Sequence, residues 1–337
     1  VRFVTAVVWA HIQARKQQEQ RIMSDARNVK YLHGGGADTT DIEVAEPGHG
    51  EIQVSKAACG ICSWDLQTFR WGSDHRSAAP PGHEGVGYVT KVGDGVSGYE
   101  VGDRVVGGGF ASVGNMRARS AYKIPPSNMA DEHWVVEPVS CCVTGVDRCE
   151  LKVGERMIMI GTGFMGLISL QILRGMGADQ LICLDVDDKR LEMARELGAT
   201  ETYNTTADGF DEVKRDLVSR RIDIVYDTTG AQGGLDIATE LVRPGGRINV
   251  FGWLKGDTAT FNPTAWHGKG ITVVNSGPAA QIRDPFPAAI RLMHNGVVDL
   301  KRLVTHTVPL EEFPQFMSKA TVGEVDGFIK GVVTYPQ

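Results

Sequence analysis

The sequence has no apolar stretch long enough to cross a membrane. Its longest mainly apolar run, Phe3–Ala10, falls well short of the ~20 residues a spanning helix needs. It also lacks an excess of positive charge. Thirty-five Lys and Arg stand against 41 Asp and Glu, a net charge of −6, which leaves no electrostatic footprint for nucleic acid. Low complexity is absent as well, since 42% of residues are hydrophobic and 23% charged, a globular composition. Cysteine is too sparse and irregular for a disulfide framework. Cys59, Cys62, Cys141, Cys142, Cys149 and Cys183 instead suggest reduced thiols and a cytoplasmic setting. No secretory pattern opens the chain, because its basic residues follow the apolar stretch rather than precede it. Residues 1–22 read as an extension foreign to the rest, or else as an amphipathic arm.

What the chain has in plenty is glycine, at 41 of 337 residues, well above the usual ~7%. From about Tyr31 to Tyr122, short β-like runs such as Glu51–Val54 and Gly102–Val106 alternate with glycine turns. That pattern suggests a barrel or sandwich. After about Cys149 the period changes. Met157–Ile160 is a continuous apolar run, as in a strand covered on both faces. Leu181–Leu184, Ile222–Tyr226, Ile248–Phe251 and Ile271–Val274 read as further strands with helical stretches between them. One stretch stops at Gly198 and another at Pro244-Gly245-Gly246. Such alternation predicts an α/β, doubly wound parallel sheet of Rossmann type. From about Ala288 the pattern is mixed again.

Gly161-Thr162-Gly163-Phe164-Met165-Gly166 ends one buried strand and opens a helix, the context in which G-x-G-x-x-G marks a dinucleotide site. Gly161 permits the tight turn, Gly163 the approach of a pyrophosphate, and Gly166 close packing of helix on strand. The N–H groups around Phe164 and Met165 open the helix at its positive end. Asp185 closes the next strand about 20 residues on, where a carboxylate accepts from the adenosine ribose and repels a 2′-phosphate. This favours NAD over NADP. Lys189 and Arg190 are the nearby cations that could act in the opposite sense.

Cys59-Gly60-Ile61-Cys62-Ser63-Trp64-Asp65 contains a C-x-x-C pair that is metal-binding, redox-active or incidental. With Gly82-His83-Glu84-Gly85-Val86-Gly87, Glu137-Pro138-Val139-Ser140-Cys141 and the glycine loop, it resembles the medium-chain dehydrogenase/reductase superfamily, in its zinc-dependent alcohol and polyol dehydrogenase branch. The resemblance spans about residues 30–337. It implies a discontinuous GroES-like β-barrel catalytic domain at 23–143 and 288–337, around a nucleotide domain at 144–287. It also implies one catalytic zinc on Cys62, His83 and Glu137, with Glu84 as a direct or exchanging ligand. Cys141 or Cys142 is the alternative to Glu137. Asp65 would orient the His83 ring. The family's structural zinc needs four closely spaced cysteines, and none lies between Cys62 and Cys141.

The implied reaction is hydride transfer between NAD(H) and a secondary alcohol or ketone of polyol, cyclitol or amino-alcohol type. A homodimer or homotetramer acting on a small molecule, with no nucleic-acid or membrane partner, is expected. A zinc-free NAD(P)H reductase of the same superfamily and a non-catalytic nucleotide-binding protein are the competing readings. One departure stands out. Trp64 and Gln67 occupy positions where the family usually has a Ser or Thr and often a His that relay the alcohol proton. An indole N–H only donates, so Trp64 is expected to form a pocket wall and a water backed by Glu84 or Glu137 to take the proton.

Overall fold

The computed structural model describes residues 26–73, 81–252 and 258–336; the reading of residues 1–22 lies outside them. The chain divides into two units, residues 1–137 with 304–337, and residues 138–303.

The first unit begins with an antiparallel pair, β1 (Arg27–Tyr31) and β2 (Ala37–Asp41). Gly34, Gly35 and Gly36 turn between them with positive φ. The long strand β3 (Glu51–Gly60) pairs antiparallel with β4 (Glu84–Val92), bringing Gly60 opposite Glu84 and Ile52 opposite Val92. Helix α1 (Ser63–Trp71) follows β3 directly. The stretch after β5 (Arg104–Val106) is more than a glycine link. It holds β6 (Val113–Arg117), which pairs with β3, before β7 (Tyr122–Lys123) returns to β5.

Helix α2 (Val136–Cys149) contains the division between the units in its first turn. The second unit alternates β8 (Arg156–Ile160), α3 (Phe164–Leu173), β9 (Gln180–Asp185), α4 (Asp188–Glu196), β10 (Glu201–Asn204), α5 (Phe210–Ser219), β11 (Ile222–Asp227), α6 (Gln232–Leu241), β12 (Val242–Val250), α7 (Pro263–Lys269) and β13 (Thr272–Asn275). All six strands run parallel in the order β10-β9-β8-β11-β12-β13, the doubly wound order with its switch point beside the first strand. Buried Ile158, Ile160, Ile182, Leu184, Val225 and Ile248 fill its interior.

Two details depart from the sequence reading. Pro244-Gly245-Gly246 does not end a helix: α6 stops at Leu241 and β12 runs through the three residues. The β11–β12 register shifts between Ile222 and Ile224, which lets a proline sit in a strand. Helix α8 (Phe286–His294) belongs to the second unit, so the chain rejoins the first at Val304 rather than near 288. Gln171 binds the backbone of Asp299 in both directions, at 2.8 and 3.3 Å, and fastens this stretch to α3.

The returning segment adds β14 (His306–Pro309), α9 (Phe313–Ala320) and β15 (Gly331–Thr334). β15 pairs with β3, completing a seven-stranded sheet. Phe313 and Phe110, with ring centroids 4.9 Å apart, centre a core shared by Tyr31, Cys59, Ile61 and Val333.

Candidate metal and nucleotide sites

In the first unit, β3 ends at Gly60 and Cys62 caps α1. Asp65, one turn in, accepts from the Cys62 N–H at 2.8 Å and from the Tyr31 hydroxyl at 2.9 Å. A buried carboxylate thus fixes the entry of α1 and the position of the Cys62 side chain. Leu66 and Phe69 face the apolar core. Trp64, Gln67 and Thr68 share another face of the helix, with Trp64 and Gln67 half-buried and Ser63 exposed.

The sulfur of Cys62, a ring nitrogen of His83 and a carboxylate oxygen of Glu84 lie within 4.8 Å of one another. His83 is exposed, Cys62 half-buried and Glu84 buried. Glu137 is half-buried in the first turn of α2 and is outside this group. Cys142 is buried, and its thiol turns to the Met165 carbonyl at 3.3 Å. Asp65 has Tyr31 and the Cys62 backbone as its hydrogen-bond partners, and the charge of His83 acts on it from nearby.

Glu84 brings a partner that the sequence did not reveal. Lys330, at the foot of β15 and buried, donates to Glu84 Oε1 at 2.8 Å and lies 2.6 Å from Oε2. Burial works most strongly against the lysine's charge, but Glu84, with Cys62 and Asp65, raises the Lys330 pKa on balance. Glu84 Oε2 is buried, with the Lys330 ammonium beside it at ion-pair distance. Gly60 makes room for that carboxylate, since a Cβ there would come within 1.9 Å of Oε2. Burial, then Glu84, pushes the Cys62 thiol up to about 12, so a thiolate at neutral pH requires a cation beside it. Sulfur, nitrogen and oxygen donors gathered within 4.8 Å of one another fit zinc, which accepts these three donor types.

In the second unit, each loop glycine has a distinct surrounding. Gly161 has φ +95°, and a Cβ there would meet Thr228 Oγ1 at 2.7 Å. A Cβ on Gly166 would come within 2.1 Å of the Gly161 carbonyl, whereas Gly163 opens onto free space. Gly163 caps α3, with Phe164 and Met165 in its first turn, both half-buried. Asp185 is buried, and the chain itself supplies its donors. Thr162 N–H and hydroxyl reach Oδ2 at 2.6 and 3.0 Å; Val186 and Asp187 N–H reach Oδ1 at 2.7 and 3.1 Å. Asp185 therefore clamps the glycine loop to β9. Asp187 caps α4 by accepting from the Lys189 and Arg190 N–H groups, and the Arg190 guanidinium lies 3.8 Å from it. The clamp by Thr162 and the buttress by Thr228 escaped the sequence reading; a hydroxyl beside the first glycine was the available signal.

A doubly wound sheet with a glycine-loop helix, and a separate β unit with a sulfur, nitrogen and oxygen cluster, define a metal-dependent nicotinamide oxidoreductase. Comparison with known proteins narrows this. The alcohol dehydrogenase GroES-like domain matches residues 48–126 and the zinc-binding dehydrogenase domain residues 165–295. D-arabinitol dehydrogenase 1 of Uromyces fabae is 27% identical over 80% of this chain and 87% of its own. Sorbitol dehydrogenase of Bacillus subtilis is 26% identical over 83% and 89%. The crystal structure of 2R,3R-butanediol dehydrogenase from Bacillus subtilis superposes with a TM-score of 0.80 at 24% identity, covering 93% of this chain and 100% of that one. The chain belongs to the medium-chain dehydrogenase/reductase superfamily, in its zinc-dependent alcohol and polyol dehydrogenase branch. Among the described residues no helix is long and apolar enough to cross a membrane.

Proposed function

We propose that the chain catalyses reversible NAD-linked oxidation of a secondary alcohol of polyol, cyclitol or amino-alcohol type, with one zinc per chain. The observation that carries this reading is the cluster of Cys62, His83 and Glu84, whose ligand atoms lie within 4.8 Å of one another. Cys62, His83 and Glu84 would hold the metal, with Glu137 the alternative carboxylate. A zinc there supplies Lewis acidity that lowers the pKa of an alcohol oxygen. The hydride chemistry is the cofactor's. Asp65 holds Cys62 in place and biases the His83 ring.

The N–H groups at the start of α3 receive the pyrophosphate, and Gly163 leaves the space for it. Asp185 and Asp187 would repel a 2′-phosphate at the end of β9, and the Arg190 guanidinium lies 3.8 Å from Asp187. That arrangement supports NAD over NADP. Trp64 forms a wall of the substrate pocket, and with Gln67 it leaves no hydroxyl-to-imidazole relay. The alcohol proton goes to water, backed by Glu84 or Glu137. The chain works as a homodimer or homotetramer; the open edge of β13, mostly exposed, is the strand available for pairing with a second copy.

The test is a panel of secondary alcohols, polyols and amino alcohols with NAD and with NADP, followed by absorbance of the reduced cofactor. Turnover of at least one such alcohol, with NAD preferred, is the expected result. Cofactor binding without turnover on the whole panel would refute the reading.

A further inference from the structure

Strands β3 and β4 carry the metal cluster at one end, where Gly60 faces Glu84. A second hollow lies at the other end. Three segments meet there: the turn before β3, the turn after β4, and the turn after β6, since Arg117 pairs with Glu51 across β3 and β6. At about 3.3 Å per residue, the length of β3 separates the two ends by roughly 30 Å. The hollow has a volume of about 580 Å³, within the usual range for small-molecule sites.

We propose that this hollow binds a phosphate group, either as inorganic phosphate or as the phosphomonoester of a small metabolite. Its basic lining residues, His49, Arg117 and Arg119, are all exposed. Arg119 and Ser97 line it, and neither side chain has a hydrogen bond or ion pair among the described residues. The His49 ring is likewise without a hydrogen bond. It packs against Gly95, where a Cβ would come within 2.2 Å of the ring. Arg117 spends one Nη on the His49 carbonyl at 3.2 Å and keeps Nε 3.7 Å from Glu51. Glu51 also accepts from the Gly48 N–H at 3.0 Å. The lining thus brings two guanidiniums, an imidazole and the Ser97 hydroxyl to one hollow, with Glu51 beside Arg117.

Guanidinium groups pair with phosphate oxygens through parallel N–H donors. The walls are set before any ligand arrives. Gly50 N–H binds the Asp94 carbonyl at 2.8 Å, Ala118 N–H binds that of Gly50 at 3.0 Å, and the Tyr99 hydroxyl donates to the Ala121 carbonyl at 2.6 Å. A preformed cavity loses little entropy on ordering around its ligand. Nothing in the hydride-transfer reading uses these residues.

The experiment is calorimetric titration of the metal-loaded protein, saturated with NADH so that the glycine loop is already filled. Inorganic phosphate and glycerol 3-phosphate are the two probes, and sodium chloride at matched ionic strength is the control. Saturable binding to one site per chain is expected. It should weaken at least tenfold in Arg119→Ala and vanish in Arg119→Glu, with zinc content and turnover unchanged. Tighter binding of glycerol 3-phosphate than of phosphate assigns the site to a metabolite phosphomonoester; equal affinity assigns it to the free ion. Absence of saturable heat, or equal affinity in the wild type, Arg119→Glu and Ser97→Ala, would overturn the proposal.

Discussion

The two sites are built in opposite ways. The nucleotide site is local: residues 161–166, with Asp185 at the end of the next strand, contain nearly all of its geometry, and Thr162 ties the two pieces together. The metal cluster is assembled from afar. Cys62 follows β3 and His83 precedes β4, two strand ends that only their pairing brings together, and the cation beside Glu84 lies 246 residues further along the chain. A local site depends on backbone conformation and free space. An assembled one depends on buried charges that must find each other as the sheet closes. The two should therefore fail differently.

The largest effect is expected in the assembled site. His83→Ala removes the exposed ligand of the cluster without disturbing a packed core. Metal should be lost and turnover should fall about 1,000-fold or more, since the Lewis-acid contribution is worth several kcal/mol. Far-UV circular dichroism should be unchanged. Metal analysis and assay of the same sample check this, and retained activity without metal would place the chemistry elsewhere.

Next is the buried pair. Lys330→Met leaves the Glu84 carboxylate buried without its cation, a change that typically costs about 3–5 kcal/mol. Urea unfolding should show most of that loss in chelated protein and much less with zinc bound, because the metal then compensates the charge. Equal losses in both states would separate Glu84 from the metal.

The local site is expected to respond to a single methyl group, and differently at neighbouring positions. Gly166→Ala drives a Cβ to within 2.1 Å of the Gly161 carbonyl. That strain, of about 1–3 kcal/mol, should cost stability and weaken NADH roughly tenfold. Gly163→Ala meets nothing in the protein itself, so stability should hold while NADH binding weakens. If both variants lose stability alike, the open space at Gly163 is not the ligand's.

The smallest effect concerns the other buried lysine of the first unit. Lys56 donates to the Gly107 carbonyl at 2.7 Å, and burial lowers its pKa from the ordinary 10.5 to about 8. Between those values the unfolded chain holds more protons than the folded one, so this residue's contribution to stability rises with pH across that window. Unfolding free energies from urea titrations at pH 7.5 and 9.5 should diverge between wild type and Lys56→Met, by about 1–3 kcal/mol. Parallel behaviour would show that Lys56 is solvated.

The same contrast explains what could be read in advance. Apolar runs identified β8, β9, β11 and β13, although β13 proved to be a mostly exposed edge strand, and the glycine spacing identified the loop that joins β8 to α3. Strand β10 was missed because Glu201-Thr202-Tyr203-Asn204 is a polar edge strand, half-buried throughout. β12 was misread at its start because a Pro-Gly-Gly sequence signals a stop unless a neighbouring register shift accommodates it. Cys62, His83 and Glu84 were legible as short motifs, and their convergence follows from the pairing of β3 with β4. Lys330 was not legible, because nothing around Ile329-Lys330-Gly331 announces that its ammonium will lie beneath a strand paired elsewhere. Gly60 is the one local trace of that arrangement, since any larger residue would displace the Glu84 carboxylate.

The most direct measurement is metal content and alcohol turnover on one preparation, before chelation, after chelation, and after zinc is restored. The account predicts about one zinc per chain, loss of turnover as the metal leaves, and recovery on its return, with NADH affinity largely unchanged. Full turnover in metal-free protein would contradict it.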